Sequence, residues 1–201
     1  MPEFHPVPEQ RRELSQHVFA AFPLTNAPET ESMHTPTHAA LNFLVLGRNA
    51  SSARPWILVG AVLPDVPMFG FFLYERFVRG ETVGRIFQHL YFEPQWQTLF
   101  NVSHSIPLFL LLSAFFWWCK SRSGLLLGMS LLLHSLVDWP THLEDAHAYF
   151  WPLWREPLPG VVSYWHSGSM VAIESGIIVV AVVWLAWETA SSRRRGRTVP
   201  V

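Results

Sequence analysis

Two residues four apart, His134 and Asp138, carry the strongest chemical signal in the chain. At i, i+4 spacing they share one face of a helix, so an imidazole and a carboxylate can bind one ion or two adjacent ions. Further histidines and carboxylates recur in order along the sequence: His38, Asp65 and His104 before the pair, then His142, Glu144, Asp145 and His147 after it. Nitrogen and oxygen ligands without thiolate suit zinc, manganese or iron. A divalent ion there lowers the pKa of bound water and makes hydroxide available near neutral pH. Each residue also has a plain reading: a helical His–Asp hydrogen bond for the pair, a helix cap for Asp65, a satisfied core imidazole for His104. Their common placement, derived below, favours ligands. His38, Asp65, His104, His134 and Asp138 are the expected metal ligands, with His142 or His147 completing the shell. Glu144, Asp145 or Glu174 would orient the water. His34, His89 and His166 carry little signal, and His5 and His17 carry none.

Composition narrows the setting. The chain has 201 residues, half of them apolar and only 14% charged, with ten histidines and a net charge of −1. Soluble domains average about 25% charged residues. The near-balance of charge excludes a basic protein that coats nucleic acid and an acidic disordered tail, so no nucleic-acid partner is expected. Cys119 is the one cysteine, which excludes a disulfide framework and any multi-cysteine zinc or iron–sulfur site. The sequence has no Gly-rich phosphate loop, no Gly-x-Ser-x-Gly elbow and no internal repeat.

The elements that must position these residues are apolar helices. Residues 1–32 are polar and proline-bearing, lack the core of a signal peptide and read as a flexible leader, with Met33 a second candidate start. Two short runs, Ala39–Leu46 and Trp56–Leu63, form a predicted helical hairpin, each arm about half a bilayer core in length. Pro64 and Pro67 around Asp65 should break or kink the second arm, with apolar sequence resuming over Met68–Tyr74. Leu99–Cys119 and Gly168–Trp187 are long enough to span a bilayer, and Gly124–Trp139 is shorter. Most tryptophans lie at segment ends, the pattern of interfacial anchors. The predicted fold is therefore all-α: an integral membrane bundle of four to five embedded helices over 33–190, ending in a basic tail over 191–201.

Topology gathers the chemistry. The arginines at 193–197, Lys120 with Arg122, and Arg48 with Arg54 are all assigned to the cytoplasm by the positive-inside rule, and they agree through alternate crossings. His38, Asp65, His104, His134, Asp138 and the 142–147 loop then fall at the opposite, non-cytoplasmic face. Ionisable residues in spanning segments are costly and mark function.

The ordered string Thr37-His38, Leu63-Pro64-Asp65, His104-Ser105, His134-x3-Asp138 and Ala146-His147-x3-Trp151-Pro152 resembles the YdjM-like family of inner-membrane metal-dependent hydrolases, also described as LexA-binding and membrane-associated. The match covers about Met33 to Leu153. The His-x3-Asp element and the order of ligands are also similar to zinc-dependent phospholipase C and related nucleases. The resemblance implies a multi-pass protein of the bacterial inner membrane, zinc as the cofactor, and a metal-bound hydroxide that attacks a phosphoester of a lipid or membrane-associated substrate. Two departures point to one or two ions rather than three. Val66-Pro67-Met68 follows Leu-Pro-Asp where the family often has a second acid, and His166 and Glu174 stand eight apart where phospholipase C has His-x3-Glu. A competing class is a non-catalytic metal-binding scaffold or small transport component; an ion path would spread its titratable groups through the bilayer depth, and only Glu174 lies far enough in to favour one.

Overall fold

A computed structural model of the protein describes residues 35–48, 50–143, 145–161 and 168–197. The leader expected over 1–32 lies outside the described residues, as do His34, Glu144 and His166. Among the described residues the fold is all-helical. Its helices are α1 (Thr35–Leu46), α2 (Arg54–Val62), α3 (Val66–Leu73), α4 (Val83–Gln88), α5 (Pro94–Ser103), α6 (Ile106–Trp118), α7 (Arg122–Asp138) and α8 (Gly168–Arg197).

The hub is α7, which packs against α1, α2 and α6. Its buried positions are Gly124, Gly128, Ser130, Leu131, His134, Ser135 and Asp138. Small and polar residues thus face the bundle while most of the leucines lie on partly open faces, the inverse of a soluble helix and the usual arrangement where lipid-like surroundings give helices no hydrophobic reason to associate. Close approach follows: a Cβ on Gly60 of α2 would lie 2.7 Å from the Leu127 carbonyl and 2.8 Å from Ser130 Cβ. A buried polar link runs beside it. Asn42 Nδ2 donates to the carbonyl and the hydroxyl of Ser130, both at 2.8 Å, and Ser130 Oγ donates to the Ile57 carbonyl at 2.6 Å. The link joins α1, α7 and α2 at one level. At another, Arg54 reaches both carboxylate oxygens of Glu188 on α8 and lies over the rings of Phe43 and Trp184.

Three helical runs are long and apolar enough to cross a membrane: Ser51–Val78, Pro94–Trp118 and Ala172–Ser191. Two differ from the sequence reading. The proline-flanked Leu63–Asp65 is not a break but one 3-10 turn between α2 and α3, and a π turn over Tyr74–Val78 extends the rod. Pro64 and Pro67 each sit in the first turn of a segment, where a missing N–H costs nothing. Conversely, the run expected as one helix over Leu99–Cys119 is interrupted at His104 and Ser105. Pro107 has no N–H to bond the Ser103 carbonyl, and its ring would crowd that carbonyl in a continuous helix; Ser105 caps the new helix by accepting from the Leu108 amide at 3.3 Å. The basic segment expected as a tail is helical through Arg197, so the boundary drawn at 190 falls inside α8.

Outward faces are apolar. Leu111, Trp117 and Trp118 on α6 and Val179, Val180, Val182 and Val183 on α8 are all more than half exposed. A separate aromatic core of Phe71, Ile86, Leu90, Tyr91 and Phe100 ties α3, α4 and α5 together.

Replacing Gly60 with valine should push α2 away from α7. Overpacking of this kind costs ~1–3 kcal/mol, so the thermal unfolding midpoint in detergent should fall by about 2–10 °C. An unchanged midpoint would contradict the close approach.

Candidate metal centre

The expected ligands are placed by different local devices. His38 lies on α1. Asp65 ends the 3-10 turn between α2 and α3, where the Thr35 hydroxyl donates to its Oδ2 at 2.6 Å. His104 occupies the gap between α5 and α6. His134 and Asp138 lie on the buried face of α7, one turn apart as their spacing implied. His147 sits on the loop from α7 to α8. That loop is pinned from several sides: the Ala148 amide donates to Asn101 Oδ1, the Ile106 amide to the Tyr149 carbonyl, and the Ser105 hydroxyl to the Trp151 carbonyl. Gly160 closes it, since a Cβ there would collide with the Trp139 and Pro140 backbone.

The side chains converge on the Asp138 carboxylate. His38 Nε2 is 3.0 Å and His142 Nε2 3.3 Å from its Oδ1, while His104 Nε2 is 3.4 Å and His134 Nε2 3.7 Å from its Oδ2. Asp65 Oδ1 stands 3.3 Å from His134 Nε2 and 3.7 Å from His104 Nε2. The rings of His38 and His134 stack at 3.9 Å, and those of His104 and His147 at 4.5 Å. His38, His104, His134 and His147 are all at most 1% exposed, whereas the Asp65 side chain is 15% exposed.

Hydrogen bonding decides what these imidazoles present. His134 Nδ1 lies 2.8 Å from the Ala61 carbonyl, and His104 Nδ1 lies 2.9 Å from the Phe100 carbonyl. A carbonyl only accepts, so in both rings the proton is on Nδ1. Nε2 then carries a lone pair, and in both residues this atom is buried without a hydrogen-bond partner. A lone pair facing a carboxylate oxygen across 3.3–3.7 Å is repulsive unless a second proton on the ring or a metal ion lies between them. Four ligands ~2.1 Å from a tetrahedral ion stand ~3.4 Å apart, which is the spacing found. Both nitrogens of His147 are likewise buried without a partner. Two stacked imidazolium rings would repel each other; neutral rings sharing a cation would not.

The residues therefore fit a metal. Three groups offer ligand atoms that all lie within 4.8 Å of one another: His38 with His134 and Asp138; Asp65 with His104 and His134; and His104 with Asp138 and His147. Oxygen and nitrogen donors of this kind are what zinc and other borderline divalent ions take.

His142 and Asp145 form the flank. His142 Nδ1 is 2.9 Å from Asp145 Oδ2, so the ring bridges two carboxylates. Burial alone would lower the His142 pKa; the charges of Asp138 and Asp145 outweigh it and hold it well above the ordinary histidine value. Burial would raise the Asp145 carboxyl, but His142 keeps it below its usual range. His147 is pushed down to about 3, above all by burial, which leaves it neutral at physiological pH.

The sequence reading thus named the side chains that meet. Of the water-orienting candidates, Asp145 stands against His142, Glu174 is buried on α8, and Glu144 lies outside the described residues. His89 is exposed at the end of α4. The reading missed Thr35, Asn101 and Tyr149. Thr35 was legible as a hydroxyl three residues before His38; Asn101 and Tyr149 act through loop contacts with no local pattern.

No family model matches the chain, and no curated protein or solved structure matches it.

Purified in detergent, the protein should retain a divalent ion that a His134→Ala/Asp138→Ala double variant does not; elemental analysis showing equal metal in both would contradict the site. Asp145→Asn should weaken metal affinity about 10–100-fold in competition with a chelator, the usual cost of losing a residue that orients a metal site, with the fold intact by circular dichroism.

Proposed function

We propose that the chain is a multi-pass membrane protein that holds one or two divalent ions, zinc foremost, at its non-cytoplasmic face and hydrolyses a phosphoester of a lipid or membrane-associated substrate. The observation that carries the metal is the pair of inward-facing, unpartnered Nε2 atoms of His104 and His134 opposite the carboxylates of Asp65 and Asp138. The resemblance to YdjM-like hydrolases and to phospholipase C supports the phosphoester, and the three apolar runs support the bilayer.

When bound, the ion polarises a phosphoryl oxygen and supplies a water-derived nucleophile near neutral pH. The chain's residues do the rest. His38, His134 and Asp138 would hold one ion, and His104, Asp138 and His147 a second. Asp65 is within reach of His104 and His134 and is the most exposed of these side chains, which makes its side of the cluster the approach for solvent and substrate. Asp145 holds His142 against Asp138 and so fixes the carboxylate that the cluster shares. The convergence of these groups on one point supports a site rather than a path, because an ion path needs groups at successive depths.

Zinc-loaded full-length protein in detergent should hydrolyse bis(p-nitrophenyl) phosphate. Chelation should reduce the rate to background, and added zinc should restore it. Hydrolysis that survives complete removal of metal, or a loaded protein inert toward a panel of phosphomonoesters and phosphodiesters, would contradict the reading.

A further inference from the structure

Tyr149 stands two residues beyond His147 and is fully buried. Its ring meets the His147 imidazole edge-on, with centroids 5.7 Å apart, and lies 6.5 Å from Trp139. Its hydroxyl has no hydrogen-bond partner. The backbone fixes this position on both sides. The Tyr149 carbonyl accepts from the Ile106 amide at 2.8 Å, and the neighbouring Ala148 amide is held by Asn101 at 2.8 Å. The ring is fully enclosed, so the hydroxyl does not reach water.

A buried O–H without an acceptor costs about 1–3 kcal/mol. The phenol lies within the electrostatic reach of Asp138 and Asp145. Neither accepts from it: both oxygens of Asp138 face imidazole nitrogens and Asp145 Oδ2 faces His142, while Asp145 Oδ1 and the Tyr149 hydroxyl are each left without a partner. A donor fixed beside a cluster of lone pairs and carboxylates is suited to the one thing the cluster cannot bind directly, an anion held through a metal. A tetrahedral phosphoryl group presents several oxygens, so one can meet the ion while another accepts from a hydroxyl.

We propose that the Tyr149 hydroxyl donates a hydrogen bond to a non-bridging oxygen of a phosphoryl group bound at the cluster, which makes Tyr149 a substrate-binding residue. This rests on the phosphoester reading above. The phenol keeps its proton throughout; its role is to bind and orient.

The test uses the full chain in detergent, loaded with zinc and titrated with inorganic phosphate by calorimetry. Tyr149→Phe removes the hydroxyl and leaves the ring. The variant should hold as much zinc as the wild type and bind phosphate at least about tenfold more weakly, the effect expected for one hydrogen bond to a charged group. Unchanged phosphate affinity would overturn the assignment. Loss of zinc together with the hydroxyl would overturn it too, because it would make Tyr149 a support for the cluster. Zinc-loaded wild type that binds no phosphate would instead overturn the phosphoester reading on which the assignment stands. A second measurement needs no variant. The chain has four tyrosines, and with 3-fluorotyrosine in their place and cobalt in the cluster, phosphate should shift the fluorine signal most affected by the paramagnetic ion. A signal that does not move would overturn the assignment.

Discussion

Two hydrogen bonds from imidazole to backbone organise this structure: His134 Nδ1 to the Ala61 carbonyl and His104 Nδ1 to the Phe100 carbonyl. Each fixes a tautomer, and each thereby aims an Nε2 lone pair at the Asp65 and Asp138 carboxylates. With neutral rings and no cation the arrangement buries lone pairs against negative oxygens and leaves them unsatisfied. With a cation it is a coordination shell whose ligands are oriented in advance. Much of the surrounding architecture serves to hold those two carbonyls in place.

The helix irregularities do this directly. Ala61 lies just before the 3-10 turn that carries Asp65, and Phe100 lies one turn before the gap that carries His104. Backbone groups freed where a helix is interrupted need partners within the protein, and both irregularities carry a residue of the cluster. The Phe100 ring is locked in the aromatic core with Phe71 and Tyr91, so packing outside the cluster sets the position of its carbonyl. On the other side Gly60 and Ser130 let α2 lie against α7 closely enough for the Ala61 carbonyl to reach His134.

Periodicity made part of this legible in advance. The i, i+4 spacing of His134 and Asp138 required one helix face, and α7 presents both on its buried side. Placing the arginine-rich segments on one side of a bilayer gathered His38, Asp65, His104 and His147 with them, and these side chains do meet. The prolines show where the reading failed. Pro64 and Pro67 looked disruptive, yet first-turn positions absorb them. The run over Leu99–Cys119 reads as one helix, yet Pro107 sits in the first turn of a new one, and His104 lies in the gap before it. A proline's effect depends on where a helix restarts, which hydrophobicity does not report. The loop contacts of Asn101 and Tyr149 depend on residues more than forty positions apart and leave no local trace.

The charge arithmetic also takes on a physical meaning. A chain with few charged residues keeps several of its histidines for one buried point, while Cys119 is exposed at the far end of α6, thirteen residues beyond the start of that helix and so ~20 Å from His104. The cluster's donors are nitrogen and oxygen alone. X-ray absorption at the zinc edge of the loaded protein tests this most directly. The account predicts nitrogen and oxygen scatterers at ~2.0–2.2 Å, the outer-shell pattern of several imidazoles, and no sulfur. A sulfur scatterer at ~2.3 Å, or a shell without imidazole, would contradict it.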